Sequence, residues 1–244
     1  MIIDYHVNPL LVFRDNCGLI ALFQPLTAKA TSNDLFCVAT THLLFSTKRG
    51  DIKLAQMQYF LAEIDRFALR DEQTNSHYPI ILCGDFNAHP ESPLIQFLLT
   101  GHIKYDTYRS IDISGQLPDS NQFSYRLPSN ELLPRSFVTS DCRLAQHIRV
   151  HQHRSAVLTH DNNFYSVYDL TDSKDVTTAV NNQAKTVDYI FFTRQNDDPD
   201  RLNILSRFEL YQINQMEDIH MPNHQFPSDH FLLAGKFALK YRFL

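Results

Sequence analysis

The stretch Pro79-Ile80-Ile81-Leu82-Cys83-Gly84-Asp85-Phe86-Asn87 joins a short apolar run to an aspartate and an asparagine two residues apart. The apolar run predicts a buried strand that ends near Gly84 and delivers Asp85 and Asn87 to one place. Side chains at positions i and i+2 of an extended segment point the same way, so this pair would meet one substrate atom or ion together. For an isolated Asp-x-Asn, a strand followed by an Asx turn is the more frequent structure. Both interpretations are open at this point.

The segments before this strand show a strand pattern and then a helix pattern. Residues 15 to 24 and 35 to 43 predict two strands joined as a hairpin. A long helix is expected to begin at Gly50, because apolar residues recur at helical spacing, namely Met57, Phe60, Leu61, Ile64, Phe67 and Ala68. We expect this apolar stripe to pack on a sheet.

The segments after the strand continue the alternation. Ser92 is expected to cap a second helix, with Pro93 at its first position and Gly101 just beyond its last turn. Strand patterns return at residues 186 to 193 and 230 to 239. Alternating strands and helices predict an α/β fold.

Regular patterns fade between residues 102 and 163, where proline, serine, asparagine and histidine are frequent. We interpret this part as a long, variable surface excursion rather than a domain boundary, because strand patterns return after it.

Composition excludes several classes of protein. The chain has 244 residues, of which 43% are hydrophobic and 20% charged, as expected of a folded globular protein. A formal net charge of -5 argues against a protein that coats nucleic acid. A local basic rim that contacts substrate is still compatible with this charge, and Lys48 and Arg49 are candidates for it. No apolar run approaches membrane-spanning length, so we expect no membrane partner and a cytoplasmic or nuclear location.

Three further segments place polar side chains at predicted strand ends, namely Thr41-His42-Leu43, Val187-Asp188-Tyr189 and Pro227-Ser228-Asp229-His230. Asp188 lies in an apolar run, where a carboxylate needs a partner that offsets the cost of its desolvation. His230 is the expected partner. Phosphodiester hydrolysis can use such a group of side chains, in which one aspartate holds an imidazole and a second aspartate and an asparagine lie beside them. That reaction needs a group that activates water, donors to phosphate oxygens and a divalent ion.

The ordered series Thr-His-Leu, Gly-Asp-Phe-Asn, Val-Asp-Tyr-Ile-Phe and Ser-Asp-His resembles the endonuclease/exonuclease/phosphatase superfamily. Within it, the chain is most similar to the protein angel homologues, which are relatives of nocturnin and of the carbon catabolite repressor type of deadenylase. The segments that carry this similarity are Arg14-Asp15-Asn16-Cys17-Gly18-Leu19, His42-Leu43-Leu44 followed by Lys48-Arg49-Gly50-Asp51-Ile52-Lys53-Leu54, and Val176-Thr177-Thr178 leading to Thr186-Val187-Asp188-Tyr189-Ile190-Phe191. The resemblance implies a four-layer α-β-β-α sandwich of the DNase I type, with residues 1 to 244 as a single domain of that kind.

The resemblance also implies a role for each polar residue of the four motifs. Asp85 would orient or deprotonate the attacking water, and Asn87 would donate to a phosphate oxygen. His42 would contact the phosphate and help to stabilise the transition state. Asp188 would orient His230, which would bind or polarise the scissile phosphate.

A divalent ion is implied as well, Mg2+ or alternatively Mn2+, with Asp229 near it. The family opens with an asparagine in its first strand and a metal-binding glutamate soon after, and residues 1 to 14 contain no matching motif. We therefore expect the chain to lack the opening strands of the domain, and its metal site to need upstream sequence for completion.

Two hypotheses about function follow. The first is a magnesium-dependent phosphoester hydrolase that acts on RNA 3' ends, either on poly(A) tails or on 2',3'-cyclic phosphates, and the four motifs together favour it. The second is a catalytically silent RNA-binding or scaffold protein derived from the same fold, which the missing glutamate favours.

Overall fold

The computed structural model of the chain describes residues 2–4, 16–26, 34–116, 124–128, 132, 147–150, 153–171, 174–180, 183–194, 201–216 and 221–240. Within these ranges the helices are α1 (Gly50–Ala68) and α2 (Pro93–Thr100). The strands within them are β1 (Ile2–Asp4), β2 (Cys17–Phe23), β3 (Phe36–Thr41), β4 (Leu69–Asp71), β5 (Ser76–His77), β6 (Ile80–Asp85), β7 (His102–Lys104), β8 (His147–Val150), β9 (His153–Thr159), β10 (Phe164–Ser166), β11 (Asp175–Val176), β12 (Thr178–Val180), β13 (Gln183–Lys185), β14 (Asp188–Thr193), β15 (Leu202–Arg207), β16 (Tyr211–Gln212) and β17 (Gly235–Leu239).

The largest sheet of the described residues has six strands in the order β1-β2-β3-β6-β14-β10. Strands β2 and β3 pair antiparallel, which confirms the predicted hairpin. Strands β3 and β6 are parallel, and α1 lies in the long connection that parallel neighbours require. Strand β14 pairs antiparallel with the other side of β6. Strand β6 is therefore central, which explains its uninterrupted apolar sequence.

The apolar stripe of α1 is buried as predicted. Met57, Phe60, Leu61, Ile64 and Ala68 all belong to the main hydrophobic core, and each is 0% exposed. Phe67 is partly buried and packs against the same core. The helix therefore covers one face of the central sheet, where it contacts β2 and β3.

Helix α2 begins and ends at the predicted residues. The Ser92 hydroxyl accepts a hydrogen bond from the N–H of Ile95, and Pro93 occupies the first turn. Gly101 ends the helix in the left-handed conformation, with φ of 74°. In the ranges described by the structure, no helix is long and apolar enough to cross a membrane.

Two hydrophobic clusters lie on opposite faces of the central sheet. Phe191 and Phe192 are consecutive on β14, so their side chains point to opposite faces. Phe191 belongs to the core that contains α1 and α2, whereas Phe192 packs edge to face on Phe237, with ring centroids 5.5 Å apart. Phe237 lies on β17, which pairs antiparallel with β15. A layer of helices, the central sheet and a second β layer are thus stacked.

Residues 102 to 163, for which we predicted a variable surface excursion, include some described residues that belong to the core. Strands β7, β9 and β8 form a sheet in that order, and Ile103, Tyr105 and Leu158 belong to the main core. The core residues here are separated by turns and short strands, so no regular period marks them in the sequence. Residues 117–123, 129–131, 133–146 and 151–152 of this stretch lie outside the described ranges.

Gly84 allows β6 and β3 to approach closely at the end of their pairing. Its φ is 142°, and a Cβ added there would lie 1.9 Å from the carbonyl oxygen of Thr41. We predict that Gly84→Ala lowers the free energy of unfolding by about 2 kcal/mol or more, because backbone must move to relieve the clash. Urea denaturation measures this change.

The matched control is Gly235→Ala. The nearest atom to an added Cβ there is Cε2 of Phe237, 3.3 Å away, and an aromatic side chain can shift. We expect a loss below about 1 kcal/mol for this variant. Equal losses for the two variants would contradict the importance of the close approach at Gly84.

Candidate active site

Three polar residues meet at the carboxyl end of β6. Because β3 and β6 are parallel, His42 follows β3 at the same edge of the sheet where Asp85 ends β6. Strand β14 runs in the opposite direction and begins at Asp188, which pairs with Asp85 in the strand register. The N–H of Leu43 donates to the carbonyl of Asp85 at 2.9 Å, which ties the His42 loop to β6. Strand pairing alone therefore brings the two aspartates and His42 together.

His230 reaches the same place on a segment that docks beside β14. The N–H of Phe231 donates to the carbonyl of Thr177 at 2.8 Å, and His230 forms a β-bridge with Thr178. The Thr177 hydroxyl also accepts a hydrogen bond from the N–H of Asp188 at 3.1 Å. Thr177 thus connects the segment that carries His230 to the start of β14.

Asp188 holds the imidazole of His230, which confirms the predicted contact. Nδ1 of His230 lies 2.9 Å from Oδ2 of Asp188. The hydrogen bond to Asp188 raises the pKa of His230 and outweighs the opposite effect of burial. The negative charges of Asp188, Asp85 and Asp229 raise the pKa of His230 further. The pair therefore favours a protonated imidazole beside the carboxylates.

Asp85 lies between two imidazoles. Its Oδ2 atom is 3.4 Å from Nε2 of His42 and 3.9 Å from Nε2 of His230. Burial raises the pKa of Asp85, and the negative charge of Asp188 raises it further. The N–H of Asn87 and the two histidines act in the opposite direction. A carboxylate with a raised pKa is a stronger base, which suits a group that takes a proton from water.

Asn87 lies in a tight turn and not on an extended strand. Its φ is 48°, and its N–H donates to Oδ1 of Asp85 at 2.8 Å, which is an Asx turn. Of the two structures that the sequence left open, the strand followed by an Asx turn is therefore the one present, because β6 ends at Asp85 and the carboxylate closes the turn.

The side chain of Asn87 contacts His42. Its Nδ2 atom lies 3.0 Å from Nε2 of His42 and 3.1 Å from the carbonyl oxygen of Leu43. Asn87 is only 3% exposed. The donation of Asn87 to a phosphate oxygen remains a prediction, whereas its contact with the imidazole of His42 is a feature of the structure.

Two residues of α1, Lys53 and Gln56, contact the loops of the site but were not among the predicted site residues. Nζ of Lys53 donates to the carbonyl of Asn87 at 2.6 Å, and Oε1 of Gln56 accepts from the N–H of Leu44 at 2.9 Å. Both side chains are 0% exposed. The sequence carries a signal for them, because Lys53 and Gln56 precede Met57 and Phe60 of the apolar stripe by one helical turn, where a polar group needs a partner.

Asp85, Asp188 and a neutral His230 could together hold a metal ion, whereas a protonated His230 would leave only the two carboxylates as ligands. Each offers one donor atom, and these three atoms lie within 4.8 Å of one another. Two carboxylates held close together suit a hard divalent cation, whose charge would offset their repulsion. Asp229, which was expected near the ion, does not belong to this group in the described part of the chain. Its backbone carbonyl instead accepts a hydrogen bond from the Thr178 hydroxyl at 2.8 Å.

The two predicted rim residues differ in their surroundings. The Arg49 guanidinium forms two hydrogen bonds with the carboxylate of Asp51, at 3.0 and 2.9 Å. Asp51 also accepts a hydrogen bond from the hydroxyl of Tyr125 at 2.6 Å. Lys48 is exposed. Contact of Lys48 and Arg49 with substrate remains a prediction, and the Asp51 pair already occupies the guanidinium of Arg49.

An apolar pocket of about 210 Å³ opens beside His230. Three of its walls are the rings of Tyr211, Phe226 and Phe231, which pack on one another with centroids 4.8 to 5.6 Å apart. Leu232 and Pro227 also line it. The pocket therefore places apolar and aromatic side chains next to His230.

Comparisons with known proteins identify relatives of the chain. No protein-family model matches the chain. Angel homologue 2 of Danio rerio is 33% identical over 94% of the chain, and angel homologue 1 of Rattus norvegicus is 43% identical over 54% of it. The crystal structure of ANGEL2, a 2',3'-cyclic phosphatase, in complex with adenosine-2',3'-vanadate matches with a TM-score of 0.80 and 34% identity, and covers 98% of the chain. The chain belongs to the endonuclease/exonuclease/phosphatase superfamily.

The angel proteins are its relatives within that superfamily, as the four motifs predict. The match to ANGEL2 also confirms the DNase I-like fold class. The chain spans 44% of the length of the Danio rerio relative and 20% of the Rattus norvegicus relative. It covers 66% of the ANGEL2 chain in the crystal structure.

We predict that Asp188→Asn lowers the pKa of His230, because the variant loses the negative charge and the strongest hydrogen bond to the imidazolium. An NMR titration of the His230 imidazole measures the shift. Asp229→Asn is the control. Asp229 raises the pKa of His230 by its charge alone, and by less than Asp188 does, so a smaller shift is expected. Shifts of equal size in the two variants would contradict the leading role of the Asp188 contact.

Proposed function

We propose that this site hydrolyses phosphoesters at RNA 3' ends and that a terminal 2',3'-cyclic phosphate is its favoured substrate. The observation that carries the proposal is the position of Asp85 between His42 and His230, with Asp188 holding the second imidazole. The choice of a cyclic phosphate over a poly(A) tail is supported by the similarity to ANGEL2, a 2',3'-cyclic phosphatase.

Asp85 is the proposed base. Hydrolysis forms a bond between a water oxygen and phosphorus and breaks a bond from phosphorus to a ribose oxygen. The water must lose a proton as it attacks, and Asp85 can accept it, because burial and the charge of Asp188 raise the pKa of the Asp85 carboxyl.

His230 and His42 are the proposed donors to the phosphate. The Asp188 carboxylate favours the protonated form of His230, so its imidazolium can stabilise negative charge that develops on a phosphate oxygen. It can also give a proton to the ribose oxygen that leaves phosphorus, which balances the proton taken by Asp85. His42 is exposed on the other side of Asp85, where it can contact a second phosphate oxygen.

A divalent ion fits the donor atoms of the site. We propose Mg2+, with Mn2+ as the alternative, held by the carboxylates of Asp85 and Asp188, because both ions prefer oxygen ligands. When bound, such an ion would supply positive charge to the phosphate.

RNA is the proposed partner, because a nucleobase can stack on aromatic side chains next to the reacting phosphate. The pocket beside His230, with Tyr211, Phe226 and Phe231 in its walls, offers such surface.

The test incubates the chain with three RNA oligonucleotides that share one body sequence. The first ends in a 2',3'-cyclic phosphate, the second in a 3'-phosphate, and the third in a poly(A) tail with a 3'-hydroxyl. Reactions contain MgCl2, MnCl2 or EDTA. We expect loss of the cyclic phosphate with either metal salt and none with EDTA. Asp85→Ala should lower the rate by about 100-fold or more, because the base is lost.

Asp71→Ala is the matched control, because Asp71 ends β4 in a short hairpin that precedes β6 and its hydrogen bonds are local. This variant should keep the native rate. If the poly(A) oligonucleotide is shortened while the oligonucleotide with the cyclic phosphate is unchanged, the chain is a deadenylase and the proposed cyclic phosphatase activity is wrong. RNA binding with no turnover under any condition would overturn the enzyme proposal in favour of a silent RNA-binding protein.

A further inference from the structure

A lysine lies buried beneath the Asn87 turn. Lys53 is 0% exposed and comes from α1, whose neighbouring stripe residues are apolar. An ammonium group in such a place is costly unless hydrogen bonds replace its lost water. Burial lowers the pKa of Lys53 to about 7, against the attraction of Asp85. A methionine or leucine would fill this space without the cost of desolvating an ammonium group. The contacts of the ammonium group of Lys53 should therefore explain why a lysine is present.

The contacts of Lys53 lead to the site. Its Nζ atom donates to the backbone carbonyl of Asn87 and to Oε1 of Gln116, both at 2.6 Å. Gln116 is 9% exposed, so both acceptors are buried with the ammonium. The bond to Asn87 is the one that touches the catalytic loops, because Asn87 follows Asp85 by two residues.

The Asn87 turn has a left-handed backbone, which asparagine adopts more readily than most other residues. Its φ of 48° places the backbone in the left-handed region. The N–H of Asn87 is held by Asp85 at 2.8 Å, and its carbonyl is held by Lys53. The two bonds fix both sides of the residue, and the side-chain amide then lies 3.0 Å from Nε2 of His42. The position of the His42 imidazole thus depends on the orientation of Asn87.

The same face of α1 supports the other side of His42. Gln56 lies three residues after Lys53 and accepts a hydrogen bond from the N–H of Leu44. Its Nε2 atom donates to Oδ1 of Asn16 at 3.2 Å, and Nδ2 of Asn16 donates to the carbonyl of His42 at 2.9 Å. One turn of α1 therefore contacts the backbone on both sides of the pair formed by Asn87 and His42.

We infer that Lys53 is a positioning residue, which fixes the Asn87 turn from below and thereby sets the orientation of the His42 imidazole against Asp85. Lys53 acts through Asn87 and touches neither water nor phosphate in the proposed reaction. The kinetic part of this inference rests on the proposed function, whereas its structural part concerns only the folded chain.

The test compares Lys53→Met, which keeps the volume of the side chain and removes its donors, with Arg201→Met. Arg201 is the matched control, because it is also a buried cation, at 1% exposure, and pairs with Asp34 at 2.9 Å. Asp34 precedes β3, whereas His42 follows it, so this pair lies at the other end of that strand. Both variants should lose stability in thermal unfolding.

The decisive measurement is the pair of imidazole 1H-15N correlations of His42 and His230 at one fixed pH. The signals are assigned with His42→Gln and His230→Gln. In Lys53→Met we expect the His42 signal to move and the His230 signal to stay, because Asp188 holds His230 independently. In Arg201→Met both signals should stay. Unmoved His42 signals in folded Lys53→Met, or equal movement in Arg201→Met, would overturn the role of Lys53.

Kinetics give the second measurement. With the cyclic-phosphate oligonucleotide, Lys53→Met should lower kcat by about tenfold or more and change KM less than about twofold, because geometry at the reacting centre changes rather than binding. A rise in KM alone would also overturn the inference. If Lys53→Met does not fold, Lys53→Leu repeats both measurements, because leucine also removes the donor and is apolar. The imidazole signals decide the role of Lys53 even if the native chain hydrolyses none of the oligonucleotides, so the two proposals can fail separately.

Discussion

The direct pairing of Asp85 with Asp188 across β6 and β14 is the constraint on which the site depends. An antiparallel register places the two residues opposite each other, so two carboxylates must lie close at the end of a buried sheet. Like charges in such a place are unfavourable without compensation. The remaining site residues supply it, because His230 pairs with Asp188 and both imidazoles approach Asp85. A divalent ion would complete the same compensation.

The sequence predicts those parts of the fold that carry a local pattern. The hairpin of β2 and β3, the buried stripe of α1, strand β6 and both ends of α2 are where apolar period and capping residues place them. The partnership of Asp188 and His230 is also predictable, because a carboxylate in an apolar run needs a partner. The Asn87 turn is only favoured by the sequence, since an Asp-x-Asn is compatible with a strand as well as with the more frequent turn. The position of Lys53 beside the apolar stripe indicates burial, but the acceptors of its ammonium group, Asn87 and Gln116, lie far away in the sequence and carry no local pattern.

The site lies where two layers of the molecule meet, and each layer contributes different groups. His42, Asp85 and Asp188 come from strands of the central sheet, and α1 supports two of their loops from the helix side. His230 comes from the segment before β17, which belongs to the second β layer. Thr177 joins the two through its hydroxyl and carbonyl. The bond from His230 to Asp188 therefore joins a residue of the second β layer to a residue of the central sheet.

The register that places Asp85 opposite Asp188 also has a consequence for how the chain folds. Roughly a hundred residues of chain separate the two partners, and closing so large a loop costs entropy before any contact is gained. The hairpin of β2 and β3 can form from neighbouring residues, whereas the pairing of β6 with β14 must await the collapse of everything between them. The pair of carboxylates therefore assembles only when this long loop closes, whereas the hairpin needs no such closure.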